Sequence, residues 1–168
     1  MKKYLLSCVL LCSCSTMHHP HGIAAPQAFD EMKSLVGTWQ GTTDMEGKGG
    51  GPITVTYDLR SNGSVLVEHL SPGSDHEMIS VYHKDGDKLE MTHYCSIGNQ
   101  PNLVMIREVG PTKYFEFAGA TNMSSEKDMH IHRLALTQVD ANTLKQEWTA
   151  FKDGEALPTS TFTLKRVQ

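Results

Sequence analysis

The stretch Ile53-Thr54-Val55-Thr56-Tyr57-Asp58-Leu59-Arg60, then Ser61-Asn62-Gly63, then Ser64-Val65-Leu66-Val67-Glu68-His69-Leu70, decides the fold. Apolar and polar residues alternate through the first arm, and the second is rich in residues that favour strands. A period of two places one set of side chains on each face of a strand. Asn-Gly between the arms tolerates the positive φ that a tight antiparallel connection needs. The unit is a β-hairpin.

The same grammar recurs along the chain. Strands are predicted over 38–45, 53–60, 64–70, 78–84, 88–95, 103–109, 114–118, 131–139, 143–151 and 159–167. Ser71-Pro72-Gly73, Asp85-Gly86-Asp87, Gly110-Pro111, Asp140-Ala141-Asn142 and Asp153-Gly154 mark the turns between them. One helix is predicted, over 27–35, where Phe29, Met32, Leu35 and Val36 recur at helical spacing and Gly37 ends it. Successive hairpins without a helical crossover make an up-and-down meander. The expected fold is therefore all-β: an antiparallel barrel of about 8–10 strands with a short N-terminal helix. Closure removes the two exposed edges of such a sheet. A two-sheet sandwich is the alternative, but its crossing connections are longer than most of these gaps.

Composition agrees with one globular domain. The chain has 168 residues, of which 39% are hydrophobic and 20% charged, enough to bury a core. A net charge of −4 gives no basic face of the kind a nucleic-acid binder needs.

The first strand carries a resemblance. Leu35-Val36-Gly37-Thr38-Trp39-Gln40-Gly41, directly after a short helix, resembles the opening of calycin-type barrels, with the Gly-x-Trp of lipocalins and the Gly-Thr-Trp-x-Gly of nitrobindin-like proteins. The resemblance implies that Trp39 plugs the closed end and that a basic residue of the last strand packs on it. Arg166, on the face of Phe162 and Leu164, is that residue. The segments His76-Glu77-Met78, Val81-Tyr82-His83, Asp85-Gly86-Asp87, Thr92-His93-Tyr94-Cys95 and Gly98-Asn99-Gln100-Pro101 are similar to uncharacterised bacterial secreted proteins of this shape. That likeness brings no activity. The haem-ligand segment of nitrobindins has no counterpart here, so haem is not implied.

The N-terminus reads as an address. Lys2 and Lys3 precede an apolar run over 4–11, the pattern of a secretory signal peptide, too short to span a bilayer. Leu11-Cys12-Ser13-Cys14 resembles a bacterial lipobox, which implies cleavage after Ser13 and a lipid on Cys14; bulky Leu11 makes Cys12 the poorer acceptor. Residues 1–13 are then the signal peptide, 14–26 a lipid-attached tether and 27–168 the barrel. The expected location is the cell envelope, on the periplasmic side of the outer membrane in a Gram-negative cell. A diacyl anchor holds more firmly than one chain. The tether histidines His18, His19 and His21 read as solvated, because nothing fixes them as metal ligands. Cys95 is the one cysteine left in the barrel, so no intrachain disulfide is expected.

Histidines supply the chemistry to weigh. Alternation puts His93 and Cys95 on the inward face with Leu89 and Met91. It puts His130 and His132 inward with Leu134 and Leu136, and His83 inward with Ile79 and Val81. These five residues are the expected ligand-binding set. His93, His130 and His132 are candidate ligands for zinc or copper, with Cys95 or water as the fourth. The bland reading is a hydrogen-bonded polar lining. No catalytic set emerges: Cys95 and His93 lack an orienting acid and an oxyanion hole. Soft-metal binding by the many methionines needs a clustering that their spacing does not show. The expected function is a membrane-anchored lipoprotein binding a small apolar or amphipathic ligand inside the barrel, with Tyr82 and Trp148 adding contacts where they turn inward. The rivals are a metal- or haem-dependent protein built on the His/Cys cluster, and a structural envelope lipoprotein.

Overall fold

The computed structural model describes residues 25–44 and 49–167. The chain enters through a helix, α1 (Ala25–Met32), which tightens into a 3-10 turn at Lys33–Leu35. Ten principal strands follow: β1 (Gly37–Asp44), β2 (Pro52–Arg60), β3 (Val65–Leu70), β4 (Met78–Asp85), β5 (Lys88–Tyr94), β6 (Gln100–Val109), β7 (Thr112–Thr121), β8 (His130–Asp140), β9 (Thr143–Lys152) and β11 (Ser160–Arg166). A two-residue strand, β10 (Glu155–Ala156), pairs with β9 alone.

Every neighbour is antiparallel, and the order runs β1 to β9 in sequence, then β11, which returns to β1. The ring is closed, so the sandwich alternative is excluded. The predicted strands are all present. β6 starts earlier than its alternation indicates, taking in Pro101, and β7 runs longer at both ends.

The chain direction sorts the connections to two ends. α1 packs against β4 and β5 at the end that carries the short turns. Phe29, Met32 and Leu35 are buried there, beside Trp39 of β1. The longer loops between β3 and β4, β7 and β8, and β9 and β11 gather at the other end. Gly37, at the junction of helix turn and barrel, has φ +124° and lies under the Arg166 guanidinium. Gly41 sits so close to the Thr163 carbonyl across the β1–β11 ladder that a Cβ would collide with it.

Trp39, Val55, Tyr57, Leu66, Tyr82, Met91, Leu103, Phe115, Leu134, Leu144 and Leu164 fill the barrel centre in one buried cluster. Each lies on the inward alternation of its strand, which is why a pattern of period two was sufficient to make the barrel. Two part-buried ion pairs that share Lys113 fix the helix to the wall. Lys113 Nζ lies 2.8 Å from Glu31 Oε2 and 3.0 Å from Glu108 Oε1.

Candidate functional site

The closed end is built as the resemblance implies. Trp39 is fully buried and donates from Nε1 to the Leu35 carbonyl at 2.8 Å. Arg166, its cross-strand partner, holds its guanidinium carbon 4.2 Å from the Trp39 ring centre. The same guanidinium donates to the carbonyls of Val36, Ser34 and Ala141 at 2.8, 2.6 and 3.0 Å. One side chain thereby ties together the helix exit, the last strand and the β8–β9 turn.

A polar cage crosses the core, and sequence reading missed it. Glu68 is fully buried on β3. Its Oε1 accepts from Tyr57 OH and from Gln146 Nε2, each at 2.6 Å, and its Oε2 accepts from Tyr82 OH at 3.1 Å. Ser80 stands cross-strand from Glu68, between this carboxylate and the next polar residue of the core. Gln146 in turn accepts from Trp148 Nε1 at 2.9 Å. Burial pushes the Glu68 carboxyl above its usual range, against the pull of these donors. Burial likewise raises the Tyr57 and Tyr82 hydroxyls well above the ordinary tyrosine value. The alternation itself held the missed signal: Glu68 lies between Leu66 and Leu70 on the inward face.

His93 continues this cage toward the loop end. It is 1% exposed and packs against Trp148, with ring centres 5.1 Å apart. Its Nδ1 is 3.0 Å from Ser80 Oγ, and its buried Nε2 has no hydrogen-bond partner among the described residues. Burial lowers its pKa to about 4, so the ring is neutral near pH 7.

Cys95 follows β5 on the same face and meets Met78, its thiol lying 4.0 Å from the Met78 thioether. Both line a cavity of about 200 Å³ at the loop end. Ile97, Met129, His130, Ile131, Trp148 and Leu157 form most of the remaining wall. The loop after Cys95 is held by Cys95 N–H to the Asn99 carbonyl and by Asn99 Nδ2 to the Met129 carbonyl, at 3.1 and 2.8 Å.

Three expectations about the histidines are corrected. His83 does not face inward: on β4 the buried residues are Ser80 and Tyr82, so Ile79, Val81 and His83 take the outer face. Both faces of that strand carry apolar residues, and Ile79 and Val81 pointed to the wrong one. His130 is buried and lines the loop-end cavity, but His132 does not follow Leu134 and Leu136 into the core. A register shift between Ile131 and Arg133 breaks the alternation, and Ile131 packs on the core instead. His130 Nε2 and His132 Nδ1 then meet at 2.9 Å, while His130 Nδ1 donates to the Asp128 carbonyl at 2.7 Å. Phe117 and Phe151 flank the pair, with His132 stacked 3.9 Å from Phe151. Partial burial and its charged neighbours lower the His132 pKa. Finally, His93, His130 and His132 do not converge. Among the described residues no group of three His, Cys, Asp or Glu side chains is placed to hold a metal.

The expected hollow is also relocated. Inward side chains fill the barrel centre, and the space beside Trp148 lies at the loop end. Cys14 and residues 14–24 of the expected tether lie outside the described residues, and its last two residues, Ala25 and Pro26, open α1.

No family model matches the sequence, and no curated protein matches it. Among solved structures, the fold is similar to a DUF3598-family protein of unknown function from Nostoc punctiforme, with a TM-score of 0.54 and 14% identity. The match covers 81% of this chain and 49% of that one, so this chain spans about half the neighbour's length. The likeness establishes the class, a closed ten-strand antiparallel barrel, and nothing further.

Proposed function

We propose that this protein is a ligand-binding barrel held at the cell envelope by a lipid on Cys14. Its ligand is small and apolar or amphipathic, and it enters at the loop end. The loop-end cavity of about 200 Å³ carries this reading. Met78, Ile97, Met129, Trp148 and Leu157 give it an apolar wall, with His130 as a polar contact, the composition expected of a small-molecule site. An apolar cavity of about 150 Å³ admits benzene, so a small phenol or the end of an acyl chain is the right size.

The address rests on the signal and lipobox pattern of residues 1–14. In a Gram-negative envelope the barrel would stand on the periplasmic side of the outer membrane.

Titration with 4-ethylphenol and with octanoate, read by tryptophan fluorescence and melting temperature, tests the binding claim. Saturable binding that is lost on filling the cavity with Ala150→Leu is expected. No response to either probe at millimolar concentration overturns it. For the anchor, Cys14→Ala should release the protein from the membrane fraction, and a variant still sedimenting with membranes overturns lipidation.

A further inference from the structure

The ring of strands has one short seam. The β7–β8 ladder ends at Glu116–Arg133, although β7 runs on to Thr121 and β8 begins at His130. Beyond that pair, β7 stays on β6 and β8 stays on β9. Side chains fill the gap in place of backbone bonds. We propose that the His130–His132 pair is a latch on this seam: it holds β7 and β8 together while either ring is neutral, and it releases them when both are protonated, opening a side entrance to the loop-end cavity. The inference deepens the ligand-binding reading by giving it a control, and it rests on that reading only for what passes through the entrance.

The geometry of the latch comes first. His132 is stacked on Phe117 of β7 and on Phe151 of β9, with ring centres 5.1 and 3.9 Å away. His130 lies 4.4 Å from Phe117. The aromatic stack therefore joins β7 to β9 across the stretch of β8 where the ladder has stopped. His130 is buried and lines the cavity with Met129, Ile131 and Trp148. One ring thus belongs both to the seam and to the cavity wall.

The placement of hydrogens makes the pair a switch. The Asp128 carbonyl can only accept, so His130 Nδ1, 2.7 Å away, carries a hydrogen. In the neutral ring Nε2 is then a lone pair, and it accepts from His132 Nδ1 at 2.9 Å. A first proton settles on His132 Nε2 and leaves this bond intact. A second must go to His130 Nε2, which sets two donors against each other. Two cations then stand with ring centres 5.2 Å apart. Opening the seam separates them and gives both to water. The open form binds more protons, so acid favours it.

The surrounding charges act on both sides of this balance. Glu116 from β7 and Glu126 from the β7–β8 loop favour a charged His132, while Arg133 of β8 disfavours it. Arg133 is itself paired with Glu116 at 3.6 Å and lies 5.1 Å over Phe151. The Asp128 carboxylate accepts from the N–H groups of Ser124 and Ser125. β9 presents the uncharged Phe151, and Cys95 is the titratable group that shares the cavity wall with His130. Burial, then the His130 neighbour, hold His132 below its ordinary value of 6.5. Both rings therefore become charged only in acid.

Trp148 reports the opening. The chain has two tryptophans; Trp39 is fully buried at the closed end, and Trp148 lines the cavity. Acrylamide quenching of the full chain, at about pH 7.5 and about pH 5, reads the entrance without a ligand. The quenching constant is expected to rise about twofold in acid while the near-ultraviolet circular dichroism persists. Equal quenching at both pH values overturns the latch. Loss of the whole near-ultraviolet signal also overturns it, because acid would then be unfolding the barrel and not the seam. His132→Phe keeps a ring between Phe117 and Phe151 but cannot take a proton. It should quench alike at both pH values, and a persisting rise overturns the role of the pair. Hydrogen exchange in the unaltered chain, corrected for the intrinsic effect of pH, should lose protection in acid at 117–121 and 128–132, and unchanged protection there overturns the seam. A rise in quenching without any binding of 4-ethylphenol leaves the latch standing and removes the ligand reading alone.

Discussion

Replacing Arg166 by Ala removes the clamp at the closed end of the barrel, and its cost can be worked from the contacts. The guanidinium lies 4.2 Å from the Trp39 ring, an arrangement that contributes about 0.5–2 kcal/mol depending on burial. It also donates to three carbonyls, those of Ser34, Val36 and Ala141. Each such bond is worth about 0.5–1.5 kcal/mol net, and part of that returns when water reaches the freed carbonyls. The expected loss is about 3 kcal/mol, which for a chain of this size lowers the melting temperature by roughly 6–12 °C. Arg166→Lys should recover less than half, because one ammonium cannot reach three carbonyls in a planar fork. Arg166→Met, which keeps an apolar stem over Trp39, separates packing from hydrogen bonding. The assay is urea denaturation followed by tryptophan fluorescence, with thermal melts alongside. An Arg166→Ala protein within about 0.5 kcal/mol of the unaltered chain would refute the clamp. Full rescue by Lys would refute the part played by the fork.

Three other outcomes follow from the same structure. Gly41→Ala should destabilise by more than about 2 kcal/mol in denaturant melts, since its Cβ meets the Thr163 backbone and the ladder must move; Gly63→Ala, in a turn with open space, should cost less. Lys113→Met leaves Glu108, with its side chain only 5% exposed, without its cation. It should cost about 3 kcal/mol at neutral pH, and the double change Lys113→Met with Glu108→Leu should recover much of that. Glu68 has a folded pKa above its ordinary 4.5, so the fold keeps a proton that the unfolded chain gives up. Its contribution is complete below pH 4.5 and is lost as pH rises through the folded value. Glu68→Gln should flatten that part of the stability-against-pH curve, and a curve of unchanged slope would show that Glu68 ionises normally in the fold.

The sequence by itself determined the barrel. Alternation in stretches such as 53–60, with turn residues between the arms, specifies strands, and gaps that short favour a meander over the crossing connections of a sandwich. The step from meander to closed ring follows from the exposed edges of a sheet this large. Trp39 and Arg166 were legible because alternation gives their faces and the Gly-Thr-Trp resemblance gives their partner. His93 and Cys95 were legible for the same reason, since β5 has one apolar face and no irregularity.

Only the tertiary structure decided which polar residues meet. Period two is a local property, and one extra residue reverses it, so the shift beside His132 undid the reading of β8. His83 failed because a strand with apolar residues on both faces gives alternation nothing to choose between. Glu68, Tyr57, Tyr82 and Gln146 come from β3, β2, β4 and β9, and Met78 reaches Cys95 from a neighbouring strand. Contacts of that kind depend on the register between strands, which hydrogen bonding and core packing set together and no single strand encodes.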